Sequence, residues 1–159
     1  MTKEKLLELL KAEALPIDEK TLLKKLDSLN AEMAGDREVS PAQKLSKYNL
    51  ETMLELKNKA FGKSLTNEAE FIDDTDIQML KSAIDSYMDR YAEGQKELKI
   101  FIRIIAVYLT FIAKKPLHPE SMFYADGKTI YRNGNVVCPL RVHELTKPGS
   151  LCRFCVCIS

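Results

Sequence analysis

The sequence predicts a mainly α fold: a five- or six-helix bundle around an apolar central helix (about 97–114), followed by a C-terminal β-hairpin and a Cys-rich knuckle. Three observations predict it. Apolar residues recur at helical spacing from the start of the chain to about residue 113. The run "IFIRIIAVYLTFIA" (100–113) is apolar almost all round, which marks a helix covered by its neighbours. Beyond residue 114 the pattern changes to Pro116, Pro119, an Asn-Gly pair and all four cysteines of the chain.

Each helix has its own stripe and its own stop. Leu6, Leu7, Leu10 and Ala14 form the first stripe, and Pro16 ends it. Asp18 is placed to cap the second helix, whose stripe is Leu22, Leu23, Leu26, Leu29 and Met33, with Gly35 as the stop. "SPAQKL" reads as Ser40 at the N-cap and Pro41 at the first helical position. Leu45, Tyr48, Met53, Leu56 and Ala60 follow, with Gly62 closing the helix; a slip in phase near Asn49 predicts a kink or split. After a polar link, Phe71 and Ile72 anchor a short turn. "TDIQ" offers Thr75 as cap with Gln78 three residues on. Ile77, Leu80, Ala83, Ile84, Tyr87, Met88 and Tyr91 then run to Gly94. In the central helix Ile100, Ile104, Ile105, Tyr108 and Ile112 are expected to be buried. Arg103 must reach an edge or a carboxylate such as Asp85 or Asp89.

"KTIYRNGNVVCP" carries the hairpin signal. Asn133-Gly134 suits a type I′ turn, which needs positive φ at both central positions, between strands Lys128–Tyr131 and Asn135–Cys138. A two-stranded hairpin is marginal by itself. At 159 residues the chain suits one domain, a bundle over 1–114 with a lobe over 115–159. The "MTKEKLLELLKAEALP" start lacks the apolar segment of a signal peptide, and the run at 100–113 is too short to span a bilayer. The expected setting is cytoplasmic, with no membrane partner.

In a reducing compartment a cysteine cluster is more often metal-binding or redox-active than a disulfide frame. The spacing is Cys138-x13-Cys152-x2-Cys155-x-Cys157. The C-x-x-C turn suits two thiolates on one tetrahedral ion, and Cys138 leaves the hairpin at a Pro-fixed bend. Cys157 is preferred as the fourth ligand, with His143 as the alternative and His118 behind both. Zinc is the favoured occupant, an iron–sulfur cluster the alternative, and a metal-free cluster a third reading. The lobe has few large apolar side chains, so an ion that ties Cys138 to Cys152 and Cys155 supplies the ordering energy that burial does not. Lys128, Arg141 and Arg153 are expected near the thiolates.

"FIAKKPLHPE", "NGNVVCPLR" and "KPGSLCRFCV" resemble the C-terminal pattern of the domain-of-unknown-function 2115 (UPF0305) proteins, found mainly in methanogenic archaea. The resemblance is clear over about the last 50 residues and looser over the helices. It implies an archaeal cytoplasmic setting and places His118, Pro119, Cys138, Pro139, Cys152, Phe154 and Cys155 in the family pattern. It carries over no catalytic residue.

The remaining residues point to no reaction. Asp73, Asp74 and Asp76 read as helix-start carboxylates favoured by the macrodipole, and no Gly-rich phosphate loop, GxSxG or HExxH occurs. Residues 1–95 carry 14 basic against 19 acidic side chains and residues 96–159 carry 10 against 4, so a net of −5 faces one of +6. The expected function is therefore a non-enzymatic binding or adaptor protein with an unidentified protein partner and a structural zinc. Its rivals are a nucleic-acid-binding module using the basic C-terminal half and an iron–sulfur or thiol redox protein.

Overall fold

The computed structural model describes residues 1–35, 37–60, 71–124 and 127–159. Five long helices make the bundle: α1 (Lys3–Glu13), α2 (Glu19–Met33), α3 (Pro41–Asn58), α4 (Asp74–Tyr91) and α5 (Lys96–Val107). Helix α5 continues as a wider π turn over Tyr108–Ala113. Capping explains where the helices begin. Thr2, Asp18 and Ser40 each accept a backbone N–H of the first turn, and Ser40 and Gln43 complete a reciprocal capping box ahead of α3.

Helix α4 starts earlier than its sequence suggests. Asp73, not Thr75, is the cap, and its carboxylate accepts the Thr75 N–H at 2.8 Å. A carboxylate is the stronger N-cap, and the shift leaves Asp74 and Asp76 in the first turn, where the dipole favours them. Helix α3 is not split at Asn49; it runs as one helix from Pro41 to Asn58. The expected stop at Gly62 lies outside the described residues.

The core follows the apolar stripes. Leu6, Leu7, Leu10, Met53, Leu56, Leu80, Ile84, Ile104, Val107, Tyr108 and Leu109 are buried together. Helix α4 packs along α5, α2 along α3, and α1 against the π turn and α3. Burial grows along α5: Leu98 and Ile100 are exposed, whereas Ile104 to Thr110 are buried. Ile100 thus departs from expectation. It lies a turn nearer the helix start, while α1 packs on the π turn at the other end. Arg103 spans to Asp85, with Nη1 at 3.2 and 3.3 Å from the two carboxylate oxygens, and Lys99 pairs with Asp89.

Lys114 ends the π turn in the left-handed region (φ 54°), and Lys115 N–H returns to the Leu109 carbonyl at 3.0 Å. The chain then enters the lobe. Strands β1 (Tyr131–Arg132) and β2 (Asn135–Val136) pair antiparallel, Tyr131 opposite Val136. Asn133 (φ 52°) and Gly134 (φ 80°) form the expected turn. A four-residue helix, α6 (Arg141–Glu144), and a 3-10 turn over Cys152–Phe154 complete the lobe. Among the described residues no helix is long and apolar enough to cross a membrane.

Candidate metal centre in the C-terminal lobe

The lobe is built by three passes of the chain. The first is β2, which leads through Val137 to Cys138. The second is the 3-10 turn that carries Cys152 and Cys155, closed by Cys155 N–H to the Cys152 carbonyl at 3.2 Å. The third is the tail. Val137 and Ile158 form a parallel bridge: Ile158 N–H donates to the Val136 carbonyl at 2.9 Å and Cys138 N–H to the Ile158 carbonyl at 2.8 Å. This return turns Cys157 inward, where it is 4% exposed.

All four cysteines are free thiols. Cys155 is the hub. Its Sγ accepts the Leu117 N–H at 3.4 Å and the Cys157 side-chain hydrogen bond, and Arg141 lies close enough to favour its ionised form. That thiol–thiol bond holds Cys155 well below the ordinary thiol value and pushes Cys157 up, with burial adding to the rise. Burial also raises Cys138, which feels the charges of Cys152 and Cys155. The four sulfurs therefore share one electrostatic neighbourhood. They are not drawn into a closed ion site: among the described residues no group of three or more His, Cys, Asp or Glu side chains is arranged to hold a metal ion. The donor set is nonetheless of the soft, thiolate kind that zinc and iron–sulfur centres use.

His118 and His143 are both exposed, and both lie near Glu144. Of the three expected cations, Arg141 is at the thiols, whereas Arg153 lies over the Phe154 ring, 4.8 Å from its centroid. Lys128 is exposed.

Sequence reading missed how the lobe is tied to the bundle. Tyr48 of α3 donates its hydroxyl to the Pro116 carbonyl at 2.5 Å, one residue before the N–H that reaches Cys155. Lys44 reaches the Ser121 carbonyl at 3.0 Å and Arg90 of α4 the Pro148 carbonyl at 3.3 Å. Leu117, Leu151 and Phe154 pack against the bundle core. The tail's return was missed too, although the short apolar run Val156-Cys157-Ile158 is the signal that would have found it.

The profile of a family described as "Uncharacterized protein conserved in archaea (DUF2115)" matches residues 2–159. A UPF0305 protein of Methanothermobacter thermautotrophicus is 38% identical over 90 residues, 56% of this chain and 50% of the relative. One from Methanocaldococcus jannaschii is 34% identical over 116 residues, 72% of this chain and 68% of the relative. One from Methanococcus maripaludis is 31% identical over 108 residues, 67% of this chain and 64% of the relative. The chain spans about half the length of the first and about two thirds of the other two. No solved structure matches. Matched from its first helix to the tail that carries Cys157, the chain belongs to the DUF2115 family, the UPF0305 proteins of archaea.

Proposed function

We propose that this chain is a non-enzymatic binding protein whose C-terminal lobe is fixed by a structural zinc held by Cys138, Cys152, Cys155 and Cys157. One observation supports the reading: four thiols on three passes of the chain feel one another's charges, and Cys155 bonds to Cys157 and accepts the Leu117 N–H. Thiols gathered this closely repel once ionised, and a divalent cation removes that cost. Cys157 is the better fourth ligand than His143, because it bonds to Cys155 while His143 is exposed. Zinc here supplies folding energy and no chemistry.

The test is elemental analysis of protein purified under reducing conditions without added metal, alongside Cys155→Ser. About one zinc per chain, lost in the variant, supports the reading. A brown preparation with visible absorption under anaerobic conditions assigns the same cysteines to an iron–sulfur cluster instead. A metal-free, colourless, folded lobe contradicts both.

A second reading is favoured by one exposed face. Tyr87 and Tyr91 of α4 pair with ring centroids 4.7 Å apart. Lys147 acts on both rings, Arg90 bridges to Pro148, and Arg153 and Gly149 line the adjoining groove along Met79, Ser82 and Ser86. Aromatic rings with interleaved cations suit single-stranded nucleic acid. Anisotropy of a labelled single-stranded oligonucleotide decides it: salt-dependent binding lost in Tyr87→Ala/Tyr91→Ala supports this reading, and a flat response at low salt removes it.

A further inference from the structure

The α2–α3 pair carries an open groove far along the chain from the cysteines. Helix α2 packs along α3. Of its apolar stripe Leu22 is buried, whereas Leu26, Leu29 and Met33 stay half-buried. The groove is lined by Leu29 of α2 and Leu50 of α3, with the small, exposed side chains of Ser28 and Ser46 beside them. Lys24 and Lys25 lie toward one end and Glu32 toward the other. All three are exposed, and none of them has an ion pair with another described residue.

We propose that this groove is the contact surface for a second copy of the same chain, with the two α2 helices antiparallel and their α3 helices alongside in a symmetric four-helix interface. The charge pattern is what selects a second copy. Lys25 and Glu32 are seven residues apart, about two turns, so they project from the same side of α2. The midpoint between them falls between Ser28 and Leu29. A two-fold axis through that midpoint sets Lys25 of each copy against the partner's Glu32, because in an isologous contact every pairing occurs twice. Lys24 strengthens the positive end. Parallel copies would set cation on cation and carboxylate on carboxylate, which is repulsive, so the charges also fix the direction. Ser28 lies beside the axis, where a small side chain lets the backbones approach, and Leu29 and Leu50 lose their exposure to water. Any amphipathic helix would cover those leucines; opposite charges at equal distances from the centre are what a chain offers to itself. The proposal is independent of the zinc and nucleic-acid readings.

The experiment is sedimentation equilibrium of the full chain across a concentration series, under reducing conditions so that disulfides between copies do not contribute. Helical circular dichroism is recorded for every variant. The wild type should form a dimer that weakens as salt is raised. Ser28→Arg brings two guanidiniums together at the axis and should weaken the dimer by at least about a hundredfold. Lys25→Glu and Glu32→Lys each place like charges opposite one another twice, and each should weaken it by about tenfold or more. Mixed in equal amounts, these two variants should recover association close to that of the wild type, because in the mixed dimer every contact again joins a cation to a carboxylate. A wild type that stays monomeric up to about 1 mM overturns the proposal. A dimer that Ser28→Arg leaves intact overturns it as well, since the contact then lies on another face. So does a mixture of the two charge variants that associates no better than either alone. Should Ser28→Arg lose its helical circular dichroism, the mixing experiment decides alone.

Discussion

The bundle and the lobe of this chain are held by different physics. In the bundle, apolar side chains from five helices close on Tyr108, Leu109 and Met53 with almost no exposure. Across residues 127–159, the buried apolar side chains are Val136 and Cys157. The lobe is instead joined by backbone bonds between chain passes, by thiols, and by single polar ties to α3 and α4. Burial contributes about 25 cal/mol per Å² of apolar surface, so the bundle is secured by many interchangeable contacts. The lobe has few contacts of that kind, and losing any one tie removes a large share of what orders it.

Substitutions that strike each region should separate the two. The largest effect belongs to the bundle. Leu80→Ala or Ile104→Ala empties a fully enclosed position and should cost about 2–5 kcal/mol, read as a lower denaturation midpoint for the whole helical signal. If either change shifts only the lobe, the bundle is not the independent unit described.

Gly134→Ala should act on the lobe alone. At φ 80° the turn needs the left-handed region, while an added Cβ meets nothing within 4 Å, so the cost is conformational and about 1–2 kcal/mol. Amide exchange should rise at Val136 and Val137, with helical circular dichroism unchanged. Melting of the helices along with the hairpin would contradict the separation.

Tyr48→Phe tests the tie between the regions. Removing the hydroxyl leaves the Pro116 carbonyl unpaired in a half-buried place and should cost about 0.5–1.5 kcal/mol. Faster exchange at the Leu117 amide is the specific sign, because that N–H follows directly and bonds Cys155. The smallest effect is expected from Arg103→Met. Its ion pair with Asp85 is partly exposed, and its Nε is buried without a partner, so stability should change by less than about 1 kcal/mol. A loss of several kcal/mol in chemical denaturation would mean that the pair is a core feature of α4–α5 packing.

How far the sequence announced this structure differs between the regions in the same way. Five helices and their buried faces were legible because a 3.6-residue repeat and N-cap chemistry are local signals, as at Ser40 and Asp18. The exposure of Ile100 was not, since it depends on which end of the long apolar helix α1 covers. The π turn at Tyr108–Ala113 leaves no mark in composition: its sequence is as apolar as the α-helix before it. Thr75 was read as the cap of α4, and the carboxylate of Asp73, two residues earlier, takes that place. In the lobe, Asn133-Gly134 gave the turn, and the cysteine spacing gave a candidate set of ligands. It did not reveal that the tail pairs beside Val137, that Leu117 serves Cys155, or that Arg141 bonds two passes at once. Those are contacts between distant segments, with no period to read.

The central claim is that a thiolate-bound ion, not burial, orders the lobe. Hydrogen exchange of reduced, natively purified protein, before and after a strong chelator, tests it most directly. The account predicts that protection at the Cys138 and Ile158 amides collapses on metal removal, while the α4 and α5 amides and the helical circular dichroism keep their values. Unchanged protection at Cys138 and Ile158 after complete metal removal would contradict it.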